Sequence, residues 1–492
     1  MNTLDDVLVI GAGVMGIGIA QVAAEAGHRV FLFDLRQGAA PQAREALAAQ
    51  LDQLVAKGKR TRDAADSTLA RLVPLQHLHD AKSAALAVEA IVEKLEAKRS
   101  LLTELEALLS PDAILASNTS SISVTKIAAG LRHPERVVGM HFFNPVPLMR
   151  LVEVVRGIQT SDAVVDRITA LSKAWGKVPV TARSTPGFIV NRIARPYYAE
   201  ALMLLQEQAA SPQDLDACLR SAGFRMGPCE LMDLIGHDTN FSVTTSVFEA
   251  NFFDRRFTPS LVQQELVDGG LFGRKSGRGF YRYPEGAPAL VAPEIIEPDK
   301  AQQVIVHGDD ALARQWWSTL QSKGFAPQHQ PASGWTGLQV GEAQLRRTDG
   351  RTAFDVSREC EISEVALFDE IVGASAGALA FTVQGNEQWR RQAGGWLSVL
   401  GFQPVSVADV PGLVVARTLS MLINEAADAV QQGVCTPTGA DDAMKLGVNY
   451  PKGPFEWLEQ MGARRVVSFV EALDCYYRGE RYRVSPVLRR LG

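Results

Sequence analysis

The chain has 492 residues, of which 46% are hydrophobic and 21% charged, with a formal net charge of −5. That composition belongs to a globular protein with room for about three domains, and it carries no overall basic footprint for nucleic acid. No apolar run reaches the roughly 18 residues that a membrane helix needs, and a first strand at Val7 leaves no space for a signal peptide. The cysteines (Cys218, Cys229, Cys360, Cys435, Cys475) fall at irregular spacings, with no C-x-x-C and no metal pattern. They read as reduced, mostly buried thiols of a cytoplasmic protein, and no metal site is expected.

Val7 to Ile10 is a continuous apolar run, as in a parallel strand buried on both faces. Gly11-Ala12-Gly13-Val14-Met15-Gly16 follows directly, then a helical stretch from Ile17 to Ala26 and a second strand from Arg29 to Phe33, closed by Asp34. Gly11 permits a tight turn, Gly13 lets backbone approach a pyrophosphate, and Gly16 lets helix and strand pack closely. The helix start, with Val14 and Met15, offers N–H groups to phosphate. Asp34 lies where a carboxylate accepts from ribose hydroxyls and repels a 2′-phosphate, so NAD is favoured over NADP. Arg36, the group that could meet such a phosphate, is the weaker signal.

Residues 37 to 75 have helical periodicity and include Lys57, Lys59 and Arg60, read either as a phosphate grip or as a solvated helix end. Ala87 to Val92 reads as a buried strand ending at Glu93, Lys94 to Leu109 as a helix, and Ile114 to Ala116 as another strand. The last runs into Ser117-Asn118-Thr119-Ser120-Ser121. Small polar residues there sit at the carboxyl edge of the sheet, where ligands bind, although capping the next helix would also use one or two of them.

Val137 to Val155 holds two β-branched runs around the turn Asn144-Pro145-Val146-Pro147. One run carries His141 and the other Glu153. A carboxylate beside an imidazole fixes its tautomer and stabilises the cation formed on proton uptake, a pair suited to deprotonating an alcohol. A turn histidine and a solvated glutamate are the alternative.

Pro186-Gly187 breaks the chain, and Phe188 to Gln208 turns helical, with Asn191 one turn in. Ser211-Pro212 caps a further helix, and GRKSGRGFY at 273–281 is a basic glycine-rich loop that either reaches the cofactor or only connects elements. Pro284 to Lys300 reads as a linker. Strands at Gln303–Gly308, Glu364–Phe368 and Ala378–Val383, with a helix over Asp309–Gly324, suggest a small α/β domain without a glycine fingerprint. Pro411-Gly412-Leu413-Val414-Val415-Ala416-Arg417 then echoes Pro186-Gly187-Phe188-Ile189-Val190-Asn191-Arg192, with Glu425 spaced as Glu200 is. Matched breakers at matched intervals suggest a duplicated helical domain. Ala416 stands in the place of Asn191, so the second copy is read as structural and as taking the place of a dimer partner.

Taken in order, G-A-G-V-M-G, V-E-A-I-V-E, A-S-N-T-S-S, H-F-F-N-P, L-V-E-V and P-G-F-I-V-N-R resemble the NAD-dependent L-3-hydroxyacyl-CoA dehydrogenases over residues 5 to 283. The length of the chain is similar to the form with a duplicated C-terminal domain, of the 3-hydroxybutyryl-CoA and phenylacetate-pathway 3-hydroxyadipyl-CoA type. The resemblance implies that His141 is the general base and Glu153 its orienting group, while Ser120 and Asn191 bond the substrate's reacting oxygens. It implies cofactor contacts from Asp34, Glu93, Lys98, Asn144 and Lys275, beside Gly11, Gly13, Val14, Met15 and Gly16. Lys57 would meet the coenzyme A phosphates, though Gln53 stands where some relatives have a basic residue.

The expected architecture is a Rossmann-type α/β domain (1–185), an all-α substrate and dimerisation domain (186–283), a linker (284–300), a small degenerate α/β domain (301–408) and a second, non-catalytic helical copy (409–492). The expected activity is oxidation of an L-3-hydroxyacyl-CoA thioester to the 3-oxoacyl-CoA with NAD, in fatty-acid or phenylacetate catabolism, by a monomer or homodimer with no nucleic-acid or membrane partner. The rivals are a dehydrogenase of another small hydroxy acid and a non-enzymatic NAD-binding protein. Turnover of free 3-hydroxybutyrate against its thioester separates the first, and NAD binding without turnover marks the second. Ala416→Asn is expected to leave steady-state turnover almost unchanged, because the rest of a second site is missing. A new catalytic centre in that variant would show that the second copy retains chemistry.

Overall fold

The computed structural model describes residues 6–373 and 377–492. The chain forms two compact units, Met1–Arg192 with Gln432–Asn449, and Ile193–Gln431 with Tyr450–Gly492.

The first unit is built on strands β1 (Val7–Ile10), β2 (Val30–Phe33), β3 (Leu72–Pro74), β4 (Leu86–Glu89), β5 (Ile114–Ser117), β6 (Val137–Phe142), β7 (Leu151–Arg156) and β8 (Val178–Arg183). They lie in the order β3-β2-β1-β4-β5-β6-β7-β8. All neighbouring pairs are parallel except β6 and β7. Strands β1, β4, β5 and β6 are buried throughout, as apolar runs covered on both faces should be. The antiparallel pair fixes the register that matters, because it sets His141 directly opposite Glu153. Facing residues share one side of the sheet, so both side chains leave the same face.

The helix Pro437–Val448, from the second half of the sequence, belongs to this unit and lies on β7 and β8. A Cβ on Gly447 would sit 2.6 Å from Leu151 Cδ2 and 3.2 Å from Val190 Cγ2, so the helix lies close against β7 there. The Arg183 N–H donates to Val434 O at 3.0 Å and closes the contact.

The second unit holds the helices Arg195–Gln206, Pro212–Ser221, Pro228–Ile235, His237–Ala250 and Leu261–Asp268. It also holds a mixed sheet of β9 (Val304–His307), β10 (Gln328–Gln330), β11 (Gly337–Val340), β12 (Ala343–Arg347), β13 (Val365–Phe368), β14 (Ala378–Gln384) and β15 (Gln403–Ser406), ordered β10-β9-β11-β12-β13-β14-β15. The helices Val415–Gln431, Pro454–Met461 and Ala463–Tyr477 follow. Helices Arg195–Gln206 and Val415–Gln431, one from each copy, pack on one another. Between them Arg417, fully buried, donates to Glu200 at 2.7 Å and to the hydroxyls of Tyr477 (2.9 Å) and Tyr482 (2.6 Å).

Several elements differ from the expectation. The strand expected over Ala87–Val92 ends at Glu89, and Ala90–Glu93 is a loop at the sheet edge with Val92 exposed. The helix expected from Phe188 begins at Val190 and restarts at Arg195, since Phe188 has a left-handed φ of 45°. Strands β3, β8, β10, β11, β12 and β15 lie outside the strands expected from sequence, although Val178, Val180 and Ala182 of β8 do alternate with Pro179, Thr181 and Arg183. Of the cysteines, Cys218 and Cys229 are buried, but Cys360 and Cys475 are exposed.

The repeat is visible in the backbone itself. Gly187 and Phe188 have φ of 76° and 45°, and Gly412 and Leu413 have 81° and 53°. Breaking a buried ion pair from one side typically costs about 3–5 kcal/mol. Arg417→Met is expected to destabilise the protein at the lower end of that range in chemical denaturation, because Arg481 still reaches Glu200 at 2.9 Å. The Glu200→Gln, Arg417→Met double variant should recover part of the loss; additive losses would contradict the pairing.

Candidate active site

The glycine loop opens the site. A Cβ on Gly11 would lie 2.4 Å from Ala90 O, and one on Gly16 1.7 Å from Gly11 O, so both glycines serve close packing. A Cβ on Gly13 would meet nothing within 4 Å. Gly13 is also the N-cap of the helix Val14–Glu25 and makes no side-chain cap, so the helix start faces open space with its N–H groups uncapped. Val14 is exposed and Met15 half-buried beside it. A cleft of about 730 Å³ lined by Gly11, Gly13, Asp34, Ile91 and Glu104 continues from there. This is the cradle a dinucleotide phosphate requires.

Asp34 accepts from the Ala12 N–H at 2.8 Å. It also takes the Arg36 N–H and guanidinium at 2.9–3.1 Å, and Arg36 holds its carboxyl down at about 2. The guanidinium is thus spent on Asp34.

At the next strand edges Glu93 gathers the serine-rich turn. One oxygen accepts from the Thr119 hydroxyl (2.6 Å), the Ser120 N–H (2.9 Å) and the Ser121 N–H (3.0 Å), and the other faces Lys98 at 3.1 Å. Burial raises its pKa, but Lys98 and these donors outweigh that and hold it at about 2. Lys98 is 1% exposed and bonds both oxygens of Glu89 at 2.9 Å. Glu89 also accepts from Ser117. Lys98 is therefore placed to hold Glu93 and the turn that carries Ser120. Glu89 was not singled out from sequence; the first glutamate of V-E-A-I-V-E, inside an apolar run, was the available signal.

His141 Nδ1 lies 2.5 Å from Glu153 Oε2, with Glu153 fully buried and His141 6% exposed. The other carboxylate oxygen accepts the N–H groups of Ile189 (3.0 Å) and Val190 (2.9 Å). With Nδ1–H donating to Glu153, Nε2 carries the lone pair that can take a proton. The rings of Phe143 and Phe188 stand 4.5 and 5.9 Å from the imidazole. The same two N–H bonds anchor the helical turn Val190–Ile193, and from it Asn191 Nδ2 donates to Ser120 O at 3.4 Å. His141, Glu153, Ser120 and Asn191 thus share one unit with the glycine loop.

Asn144, Lys57 and Lys275, also named from sequence, are all exposed. Asn144 is exposed on the turn between β6 and β7. Lys57 is exposed as the C-cap of the helix Ala39–Ala56, where the helix dipole favours a cation, and Arg60 of the same basic run is committed to Glu25 at 2.5 Å. Lys275 belongs to the second unit, is exposed, and pairs with Asp238 at 2.5 Å.

Comparison with known proteins agrees with this geometry. Residues 6–185 match the 3-hydroxyacyl-CoA dehydrogenase NAD-binding domain, and residues 187–283 and 412–492 each match the C-terminal domain of the same enzymes. Residues 345–411 match a 3-hydroxybutyryl-CoA dehydrogenase reduced Rossmann-fold domain. The chain belongs to the 3-hydroxyacyl-CoA dehydrogenase family. It is 42% identical over 491 residues to the 3-hydroxyadipyl-CoA dehydrogenase of Escherichia coli, covering 100% of this chain and 98% of that one. A crystal structure of 3-hydroxybutyryl-CoA dehydrogenase from Escherichia coli superposes with a TM-score of 0.90 at 41% identity, over 99% of this chain and 98% of that one. The mitochondrial hydroxyacyl-coenzyme A dehydrogenase of Sus scrofa is 41% identical over 285 residues, 56% of this chain and 90% of that one. This family member is an NAD-dependent oxidoreductase with a Rossmann-type N-terminal domain, two helical copies and a second sheet between them.

The charge on Glu93 gives a test. Its depressed pKa stabilises the fold above the ordinary carboxylate value of about 4.5, and this is lost as pH falls from there towards about 2. Glu93→Gln should lower Tm by about 2–4 °C at pH 7. The gap to wild type should hold down to pH 5 and narrow below about 4.5; a gap that widens with acid would contradict the pairing with Lys98.

Proposed function

We propose that His141 is the general base of this dehydrogenase, taking the 3-hydroxyl proton of an L-3-hydroxyacyl-CoA thioester on Nε2. The observation that carries the reading is the buried His141–Glu153 contact at 2.5 Å, in the same unit as the open glycine loop. Glu153 keeps the ring in one tautomer and stabilises the imidazolium. Ser120 and Asn191 hold the oxygen at the reacting carbon, and the Glu93–Lys98 pair keeps the turn bearing Ser120 in place. NAD, when bound on the glycine loop beside Asp34, supplies the acceptor for the hydride leaving C3.

Asn144 and Lys275 are assigned to the cofactor and Lys57 to the coenzyme A phosphates. The boundaries near residues 185, 283, 300 and 408 divide cofactor binding, substrate binding, linker, reduced sheet domain and non-catalytic copy. The two Escherichia coli relatives carry names for a six-carbon diacid and a four-carbon acid, so the substrate is a short 3-hydroxyacyl thioester, used in catabolism of fatty or aromatic acids. No helix among the described residues is long and apolar enough to cross a membrane. We assign the enzyme to the cytoplasm, as a monomer or homodimer.

His141→Ala is expected to cut turnover of the thioester by about 100- to 10,000-fold, with NAD affinity from fluorescence titration nearly unchanged. Near-normal turnover in this variant would refute the assignment.

A further inference from the structure

The helical turn Val190–Ile193 carries Asn191, and Glu153 holds its start through the N–H groups of Ile189 and Val190. The next residue, Arg192, is 2% exposed, and its Nη1 donates to Gln432 Oε1 at 2.8 Å. Gln432 belongs to the second helical copy, yet residues 432–449 fold into the same compact unit as residues 1–192. Its backbone is fixed there by Arg183, the last residue of β8. The Arg183 guanidinium donates to Gln432 O at 3.1 Å, and the Arg183 N–H donates to Val434 O at 3.0 Å. Gly433 between them has a left-handed φ of 66°, which glycine adopts without strain. At the end of the helix Pro437–Val448, a Cβ on Gly447 would lie 3.2 Å from Val190 Cγ2 and 3.7 Å from Phe143 Cε1. Val190 opens the turn, and the Phe143 ring stands 4.5 Å from His141.

The Arg192–Gln432 bond has a cationic donor, so it is stronger than a bond between neutral groups. Arg192 follows Asn191 directly in a single helical turn, so an anchor on one sets the backbone of the other. Holding a group against the reacting oxygen is an orientation effect, and a misplacement of about 1 Å costs rate steeply. Gln432 itself is exposed, so its own burial adds little to the fold. What the site loses with this side chain is the bond to Arg192.

We propose that Gln432 of the second helical copy is a positioning residue of the dehydrogenase, holding Asn191 in line through Arg192. The second copy then contributes no catalytic group, but full catalytic rate requires it. The proposal rests on the assignment of Asn191 to the reacting oxygen.

The test measures kcat and the primary isotope effect with C3-deuterated 3-hydroxybutyryl-CoA and NAD in the full-length enzyme, together with NAD affinity and Tm. Gln432→Ala should lower kcat about 10-fold and raise the isotope effect, with NAD affinity and Tm nearly unchanged. Gln432→Glu keeps an acceptor for Arg192 and should retain kcat to within about twofold. In the Asn191→Ala, Gln432→Ala double variant the loss should be smaller than the product of the two single losses, because both act through one amide. A normal kcat in Gln432→Ala would overturn the proposal. So would an equal loss in Gln432→Glu, a loss matched by a fall in Tm, or losses that multiply in the double variant. Normal kcat in Asn191→Ala alone would instead bring down the assignment of Asn191 itself.

Discussion

The arrangement of the candidate site depends on one carboxylate. Glu153 gives one oxygen to His141 and the other to the N–H groups of Ile189 and Val190. The first contact sets the tautomer of the His141 imidazole. The second fixes the start of the turn that carries Asn191. A single buried charge therefore aligns two side chains that are far apart in sequence. Its burial is tolerable because both oxygens are engaged by hydrogen-bond donors.

A second buried charge system supports the other side of the site. Lys98 lies between Glu89 and Glu93, and Glu93 collects the N–H groups of Ser120 and Ser121. Strand β4, the loop after it and the turn after β5 are joined there by charge-assisted bonds, which are stronger than neutral ones. Such a network holds a serine-rich turn in one conformation at the sheet edge, where the open face of the glycine loop also lies.

A similar clamp recurs in the second half of the chain, without an imidazole on it. There Asp369, just after β13 in the second sheet, accepts the N–H groups of Val414, Val415 and Ala416 at 2.7–2.9 Å. This is the counterpart of the Glu153 contacts, but its remaining bond goes to the Glu370 N–H and not to an imidazole. Burial pushes the Asp369 carboxyl up to about 6, against the pull of these backbone donors. The second helical copy supplies the helix Pro437–Val448, which packs on β7 and β8 around the strand bearing Glu153.

The βαβ start, the carboxylate after β2, the strand pair carrying His141 and Glu153, and the internal repeat were legible in the sequence. Each is a local pattern: apolar runs broken by glycine, or matched breakers at matched spacing. Glu89 and the ends of β4 were not legible, because a buried glutamate inside an apolar run has meaning only when a lysine from the next helix arrives to meet it. The weak strands of the second sheet were hidden for a similar reason, since pairing with neighbours and not their own residues makes them strands. The sequence alone determined the glycine loop and the candidates His141, Glu153, Ser120 and Asn191. Only the tertiary structure decided which oxygen of Glu153 faces His141, that Lys98 serves Glu93, and that Gln432 meets Arg192, because hydrogen-bond geometry and desolvation exist only once distant segments are packed together.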